Sequence, residues 1–211
     1  MDVWALWIDG LAKALAAISA QGGLSPGWSI AILTLAVRLA LLPLTLAVAR
    51  RAERTRRILA ELKPELDALR ERRQDDPRTL AAETLALQRQ HGVRLFDRLI
   101  LANIASQALF GLGMFRLLRK TAAESGFLWI SNIARPDIAL TLMTGTILFL
   151  AAALAPGAQP HMSWMIALVP VAITVISLLS LPSAVGIYWA VSNGVSLAQA
   201  VYLRQKWRRS L

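Results

Sequence analysis

Apolar and polar stretches alternate along the chain, and the lengths of the apolar stretches predict a helical membrane protein. A helix needs about 20 predominantly apolar residues to cross the hydrocarbon core of a bilayer. Five stretches are close to this length: residues 28–48, 99–118, 138–155, 163–181 and 184–203. The last two are separated only by Pro182-Ser183, so we expect an antiparallel hairpin. The pattern predicts an all-α polytopic membrane protein with five transmembrane helices.

Residues 1–26 have the pattern of a helix that lies in the membrane interface on the outer face. The chain places Asp9 and Lys13 among apolar side chains that recur at helical spacing. These apolar positions are Trp4, Trp7, Ile8, Leu11, Leu15 and Ile18. Residues 21–26, rich in Gly, Ser and Pro, form a linker into the first span. A cleaved signal peptide is the alternative, but it requires a basic start and an uninterrupted apolar run, and this segment has neither.

Residues 49–98 form the largest polar region, and two apolar stripes within it predict a cytoplasmic helical hairpin. The stripes consist of Leu59, Leu62, Leu66 and Leu69, followed by Leu80, Thr84 and Leu87. Between them, residues 74–77 have the composition of a turn and a helix start. We expect Pro64 to kink the first arm, because proline lacks the amide hydrogen that an α-helix needs.

Composition and charge place the chain in a membrane and give it an orientation. Of its 211 residues, 56% are hydrophobic and none is cysteine, which excludes disulfides and thiolate metal sites. The net charge is +10, and most Lys and Arg residues lie at 50–98 and 204–209. The positive-inside rule predicts an outer N-terminus, an outer loop at 119–137, a cytoplasmic loop at 156–162 and a basic cytoplasmic tail at 204–211. Arg116, Arg119 and Lys120 oppose this orientation, since they fall at the outer end of the second span.

Arg38 lies in the middle of the first apolar stretch, and none of the five stretches contains an acidic residue. A charged side chain at bilayer depth costs about 3 kcal/mol on insertion scales, so it is retained where water or protein relieves it. Polar residues share helix faces in the first, second and fifth spans. They are Thr34, Thr45, Asn103, Ser106, Gln107, Ser192, Ser196 and Gln199, with Asn193 beside the face in the fifth span. Each face alone is typical of helix-to-helix hydrogen bonding, but the three faces together with an unpaired Arg predict a shared hydrophilic groove.

The sequence lacks the groups that catalysis requires. His91 and His161 fall in predicted loops and are isolated, which is typical of solvated residues. The chain contains no HExxH motif, intramembrane aspartate pair, Gly-rich phosphate loop or nucleophile beside a base. We therefore expect that the protein is not an enzyme and that it needs no metal or other cofactor.

Several motifs resemble the YidC/Oxa/Alb family of membrane protein insertases. The run from Gly27 to Thr45, in which Arg38 is followed by Pro43-Leu44-Thr45, is similar to the family's first core span. Further similar stretches are Leu62-Lys63-Pro64 with Glu83 and Leu87, Trp129 to Ile133 with Pro136-Asp137, and Leu181 to Asn193 with Gln199. Two runs depart from the family, because Arg94-Leu95-Phe96 and Gln107-Ala108-Leu109 replace its frequent Asn-Pro-Leu and Gln-x-Pro. The resemblance implies a compact member without the large outer domain of Gram-negative relatives.

The resemblance also implies a function, which is membrane protein insertion in the bacterial plasma membrane. Short hydrophilic segments of client proteins would cross the bilayer through a groove open to cytoplasm and lipid, where Arg38 would attract acidic client residues. Implied partners are nascent membrane proteins, with the ribosome and the Sec translocon as further candidates. The basic residues of the tail would contact ribosomal RNA or anionic lipid: Arg204, Lys206, Arg208 and Arg209. Two other functions remain open: transport of a small solute or anion at Arg38, and scaffolding of membrane assembly.

Overall fold

A computed structural model describes residues 2–74, 76–93, 98–121, 124–155 and 163–208, without the side chains of residues 121, 163–167, 207 and 208. Within these ranges the chain is helical, apart from connections that include one isolated antiparallel bridge between Phe127 and Ile130. The helices are α1 (Val3–Gly22), α2 (Pro26–Ala40), α3 (Leu42–Glu61), α4 (Lys63–Arg72), α5 (Pro77–Gln90), α6 (Arg98–Thr121), α7 (Ile138–Ala153), α8 (Ser163–Leu178) and α9 (Ser183–Arg208). The predicted all-α class is confirmed.

The first predicted span is two helices rather than one. Helix α2 ends at Ala40, and α3 begins at Leu42 and continues to Glu61, well past residue 48. The Leu41 amide still donates to the Val37 carbonyl at 2.9 Å. Pro43 has no amide hydrogen to continue this pattern, but proline is tolerated in the first turn of a new helix. The stretch predicted as the first span, residues 28–48, is therefore broken at Leu41, and that it crosses the membrane stays a prediction.

Helix length and composition allow several of the described helices to cross a membrane. Two segments are each long and apolar enough to cross a membrane: Val3–Gly22 and Arg98–Lys120. Helices α2 and α3 add a third span if the bent pair counts as one broken span. Helix α7 and the segment Leu168–Leu178 are apolar but shorter. The chain is accordingly a polytopic membrane protein, while the five-span arrangement and the interfacial position of α1 stay predictions.

The last helix is longer than its sequence pattern predicts. Helix α9 continues through residue 203, where the apolar stretch ends, as far as Arg208. The beginning of the predicted basic tail is therefore helical rather than a separate segment. Several predicted features lie outside the described residues: Asp75, Arg94-Leu95-Phe96, the loop at 156–162 with His161, and Arg209.

The chain divides into two compact units, and the first comprises Met1–Pro43 and Ser106–Leu211. In this unit α7 packs against α8 and α9, and α2 packs against α1 and α9. The buried apolar core consists of Leu11, Ile30, Leu33, Phe110, Met114, Leu117, Leu118, Ile130, Ile133, Leu140, Leu178, Ala184, Val185, Ile187, Tyr188 and Ala190. Where these helices lie in the bilayer, their association is stabilised by van der Waals packing rather than by removal of apolar surface from water.

Helix α1 is docked on the bundle through a close contact with α6. The Trp7 indole Nε1–H donates to the Leu109 carbonyl at 3.1 Å. A Cβ atom at Gly113 would lie 2.7 Å from Trp7 Nε1 and 2.8 Å from Leu11 Cδ1, so a larger residue there would displace α1. The glycine thus permits the close approach of the two helices.

The connection between α6 and α7 is tied to the start of α9. The Ala184 amide donates to the Ile133 carbonyl at 3.0 Å, and the Ser183 hydroxyl donates to the Arg135 carbonyl at 2.6 Å. Asp137 caps α7, because its side chain accepts from the Leu140 amide at 2.7 Å. These bonds hold the connection against the apolar core.

The second unit, Leu44–Ala105, contains the predicted hairpin helices α4 and α5. The expected disturbance at Pro64 is confirmed as an interruption at Leu62, after which Pro64 lies in the first turn of α4. Asp76 caps α5 by accepting from the Thr79 amide at 3.2 Å. The hydrogen bond from the Thr79 hydroxyl, followed by that from the Thr79 amide, holds the pKa of the Asp76 carboxyl below its usual range.

Candidate functional site

Arg38 lies in the last turn of α2, where its guanidinium reaches two other helices of the first unit. Its Nε–H donates to the Ser192 hydroxyl oxygen of α9 at 3.1 Å, and its Nη1–H donates to the Gln107 side-chain oxygen of α6 in a short hydrogen bond. Arg38 and Gln107 are half-buried, and Ser192 is 3% exposed. The structure therefore brings together one predicted polar residue from each of three helices.

Both partners of the Arg38 guanidinium are neutral. Among the described residues, no carboxylate lies within ion-pair distance of Arg38. A guanidinium carries five N–H donors, and the bonds to Ser192 and Gln107 use two of them. The remaining donors and the uncompensated positive charge suit the site to binding an anionic group rather than to catalysis by a nucleophile or base.

Tyr188 is a buried neighbour of this site that the sequence pattern did not single out. It is 5% exposed and lies one helical turn before Ser192 on α9. Its ring meets the Phe110 ring edge-to-face, with centroids 5.7 Å apart. The available signal was its spacing, since Tyr188 precedes Ser192 by four residues and so shares its helix face.

Thr34 lies one turn before Arg38 on α2 and is fully buried. Its hydroxyl oxygen has no hydrogen-bond partner among the residues that the structure describes. Unlike Arg38, it is packed between helices, so it is not accessible to a ligand at the Arg38 site in this conformation.

The other predicted site residues fall into separate groups. Ser196 is half-buried, and its hydroxyl donates to the Ser192 carbonyl at 3.1 Å within α9. The half-buried residues Ser106, Asn193 and Gln199 belong to the first unit, whereas Thr45 and Asn103 belong to the second. In the tail, Arg204 and Lys206 are exposed, while the Arg208 side chain and Arg209 lie outside the described residues.

The described part of the chain holds no group of three or more His, Asp or Glu residues that could bind a metal ion. A cavity of about 310 Å³ lies between α1, α2 and α6. Its lining is mainly apolar, and the Ser19 and Ser29 hydroxyls in it donate to the carbonyls of Leu24 and Ser25. None of the Arg38 site residues lines this cavity.

Comparison with known proteins identifies relatives along almost the whole chain. Membrane protein insertase YidC of Fusobacterium nucleatum is 29% identical over 185 residues, which cover 85% of this chain and 86% of the relative. Membrane protein insertase MisCA of Bacillus subtilis is 28% identical over 187 residues, which cover 84% of this chain and 70% of that relative. A YidC of Chloroherpeton thalassium is 28% identical over 86% of this chain, but the match spans only 33% of that relative.

A solved structure and a family model agree with these relatives. The crystal structure of an active YidC insertase with its first transmembrane domain resolved matches with a TM-score of 0.63 and 21% identity, over 96% of this chain and 47% of the solved chain. The likeness shows that the two share a fold. The family model described as 60Kd inner membrane protein matches residues 18–210. The resemblance predicted from sequence motifs is thus confirmed, and the chain belongs to the 60Kd inner membrane protein family, which includes YidC and Oxa1.

Proposed function

We propose that the protein is a membrane protein insertase, which moves short hydrophilic segments of client proteins across the bilayer and their apolar helices into it. One observation carries the mechanism: the Arg38 guanidinium is held between α2, α6 and α9 by the neutral side chains of Gln107 and Ser192. Because no carboxylate of the described residues lies within ion-pair distance of this cation, it is suited to a carboxylate that arrives with a client. The names of the relatives support the same role.

The physical argument concerns the cost of moving polar client groups. An acidic residue that enters a bilayer loses water, and this cost falls if the path contains water and hydrogen-bond donors. The free N–H groups of Arg38 can bind a client carboxylate, and their attraction strengthens as the local dielectric constant falls. Release then requires that the binding stays weak, which the partial solvent exposure of Arg38 favours.

The client's apolar helix needs a path from this site into lipid. Helix α7 presents a large exposed apolar surface that includes Ile138, Leu142 and Leu150. A client helix would leave the site along the apolar surfaces of α7 and α9. Burial of its own apolar surface in lipid would drive the transfer without a nucleotide.

The charge distribution supports a plasma membrane location with five spans, the N-terminus outside and the C-terminus in the cytoplasm. The cytoplasmic side would then carry the hairpin helices α4 and α5 and the exposed Arg204 and Lys206. Nascent membrane proteins would arrive on this side, either from a ribosome or beside a Sec translocon.

Complementation tests the proposed function directly. A bacterial strain depleted of its own insertase would express this chain, and insertion of a single-span client with an acidic translocated end would be scored by protease protection. We expect rescue by the wild-type chain. Failure to rescue while the protein is stably present in the membrane would contradict a general insertase and would favour the scaffold or transporter function.

Neutralising the basic tail should weaken ribosome association. Replacing Arg204, Lys206, Arg208 and Arg209 with Gln removes four positive charges. The loss of affinity for ribosomes should be greatest at low salt, because salt screens the attraction between these charges and RNA. Co-sedimentation of ribosomes with the detergent-solubilised protein at several salt concentrations measures this. Arg116→Gln with Arg119→Gln is the matched control, because these exposed residues lie on the predicted outer side. Equal co-sedimentation of the tail variant and the wild type would contradict a ribosome contact.

A further inference from the structure

The short turn between Phe127 and Ile130 presents two large apolar side chains to its surroundings. Phe127 and Ile130 exchange two backbone hydrogen bonds of 2.8 Å, which leaves Leu128 and Trp129 as a two-residue loop. Ile130 is 4% exposed, whereas Leu128 is 63% exposed and Trp129 53% exposed. The turn therefore has a buried base and an exposed apolar tip, and the proposed function gives the tip no role.

Leu128 has a backbone conformation that leucine rarely adopts. Its φ is 51°, and no other residue except glycine has a positive φ in the described part of the chain. Tight antiparallel turns favour Gly, Asn or Asp at such a position, because a larger side chain crowds the backbone there. Leucine is thus a poor choice for the turn itself, and its exposed side chain is the part that a partner outside the chain can use.

The tip belongs to a larger apolar patch at one end of the first unit. The Trp28 ring meets the Phe127 ring edge-to-face with centroids 5.1 Å apart, which places Trp28 beside the turn. The Trp129 indole Nε1–H donates to Asp137 Oδ1 at 3.3 Å, and Asp137 caps α7. The patch consists of the exposed residues Trp28, Leu128, Trp129 and Ile138.

We infer that this patch binds membrane lipid at the boundary between the headgroups and the acyl chains, with the tip of the turn inserted there. Helices α2 and α7 both begin at the patch. Trp28 and Leu35 are seven residues apart on α2, and Ile138 and Leu142 are four apart on α7, so each helix has an exposed apolar face that starts in the patch. In a membrane protein such faces contact lipid, and tryptophan is enriched where a lipid-facing surface reaches the headgroups.

The polar groups of the turn determine its depth. A two-residue turn cannot pair all of its backbone N–H and C=O groups, and lipid-exposed groups of this kind do not occur in the hydrocarbon core. The Trp129 indole N–H already donates to Asp137, so the ring can contact acyl chains without losing a hydrogen bond to water. The headgroup boundary satisfies both conditions. The inference requires only that the protein lies in a membrane, so it does not depend on insertase activity.

A nitroxide spin label at Leu128→Cys tests the inference, because the chain has no cysteine and the label occupies a single site. The full chain would be studied in nanodiscs of phosphatidylethanolamine and phosphatidylglycerol. Contact with lipid raises collisions of the nitroxide with oxygen and lowers collisions with a water-soluble nickel chelate, whereas burial in protein lowers both. We expect an oxygen-to-nickel collision ratio several-fold above that of the same label at Ser131→Cys, the exposed matched control just after the turn.

Two outcomes of this measurement would contradict lipid binding. A ratio at Leu128→Cys equal to that at Ser131→Cys would show that the tip lies in water, which would overturn the inference and favour a docking surface for another protein. Low collision rates with both oxygen and nickel would show that the tip is buried in protein, which would overturn it as well.

Leu128→Asn tests the part that leucine plays, with the label moved to Trp129→Cys. Asparagine is tolerated in the left-handed region, so the turn should keep its conformation while its tip becomes polar. We expect the collision ratio at Trp129→Cys to fall toward the Ser131→Cys value. Ser131→Asn is the matched control and should leave the ratio at Trp129→Cys unchanged. An equally unchanged ratio in Leu128→Asn would overturn the insertion of the turn through Leu128.

Discussion

Insertion of a client with an acidic translocated segment should fall by roughly tenfold or more when Arg38 is replaced by Glu. Two unit charges 4 Å apart interact by about 4 kcal/mol at an effective dielectric constant of 20, and the substitution turns this attraction into repulsion. The fold should survive, because the Gln107 amide and the Ser192 hydroxyl can both reverse roles and donate to a carboxylate. Protease protection of the client's translocated end in depleted cells measures the loss.

Charge specificity distinguishes this outcome from general damage to the protein. The same client with Asn in place of Asp should insert with little loss in Arg38→Glu, because it carries no charge to repel. Arg116→Glu is the matched control variant, since Arg116 is an exposed arginine on α6 without an ion pair among the described residues. Equal insertion of the acidic client by wild type and Arg38→Glu would contradict the electrostatic role, whereas equal losses for both clients would indicate misfolding.

The polar partners of Arg38 could be predicted from the sequence because they stand out in apolar helices. Gln107 and Ser192 are polar residues within long apolar stretches, and such residues usually face other helices or water rather than lipid. The structure places both within hydrogen-bond distance of Arg38. Helical spacing and the cost of burying polar groups were therefore sufficient to predict that Gln107 and Ser192 share a site with Arg38.

The course of the backbone around Arg38 was less predictable. Pro43 is compatible with a kinked continuous helix and also with two separate helices. The structure has two helices, α2 and α3. Helical spacing cannot be counted across the break at Leu41, so it does not place Thr45 on the same face as Arg38. Tertiary packing decides between these forms, and it leaves no local signal in the sequence.

Tyr188 and α1 show two other limits of a sequence pattern. Tyr188 was not among the predicted site residues, because an aromatic residue in an apolar helix usually belongs to the core. Here it belongs to the core and also lies one helical turn before Ser192. Helix α1 has a length and composition compatible with crossing a membrane as well as with lying in its interface. Its contact through Trp7 with the Leu109 carbonyl depends on the distant Gly113, which no local pattern reveals.

Gly27→Ala should destabilise the first unit, because no space exists for even one methyl group. A Cβ atom at this buried position would lie 2.5 Å from Phe127 Cδ2 and 2.6 Å from Phe127 Cβ. Phe127 cannot easily move, since its backbone exchanges two 2.8 Å hydrogen bonds with Ile130 and its ring packs edge-to-face on Trp28. Overpacking of this kind costs about 1–3 kcal/mol. Thermal unfolding of the purified protein in detergent should show a midpoint lowered by several degrees.

The matched control for this loss is another helical glycine with open surroundings. A Cβ atom at Gly10 in α1 would meet nothing within 4 Å, so Gly10→Ala should be neutral or stabilising by up to about 1 kcal/mol through helix propensity. Phe127→Ala removes the clashing ring, and Gly27→Ala should cost less in that background than in the wild type, although Phe127 Cβ remains. A midpoint in Gly27→Ala equal to the wild-type value, or the same loss in both backgrounds, would show that the connection between α6 and α7 yields easily. The tight contact between Gly27 and Phe127 would then contribute nothing to holding that connection against α2.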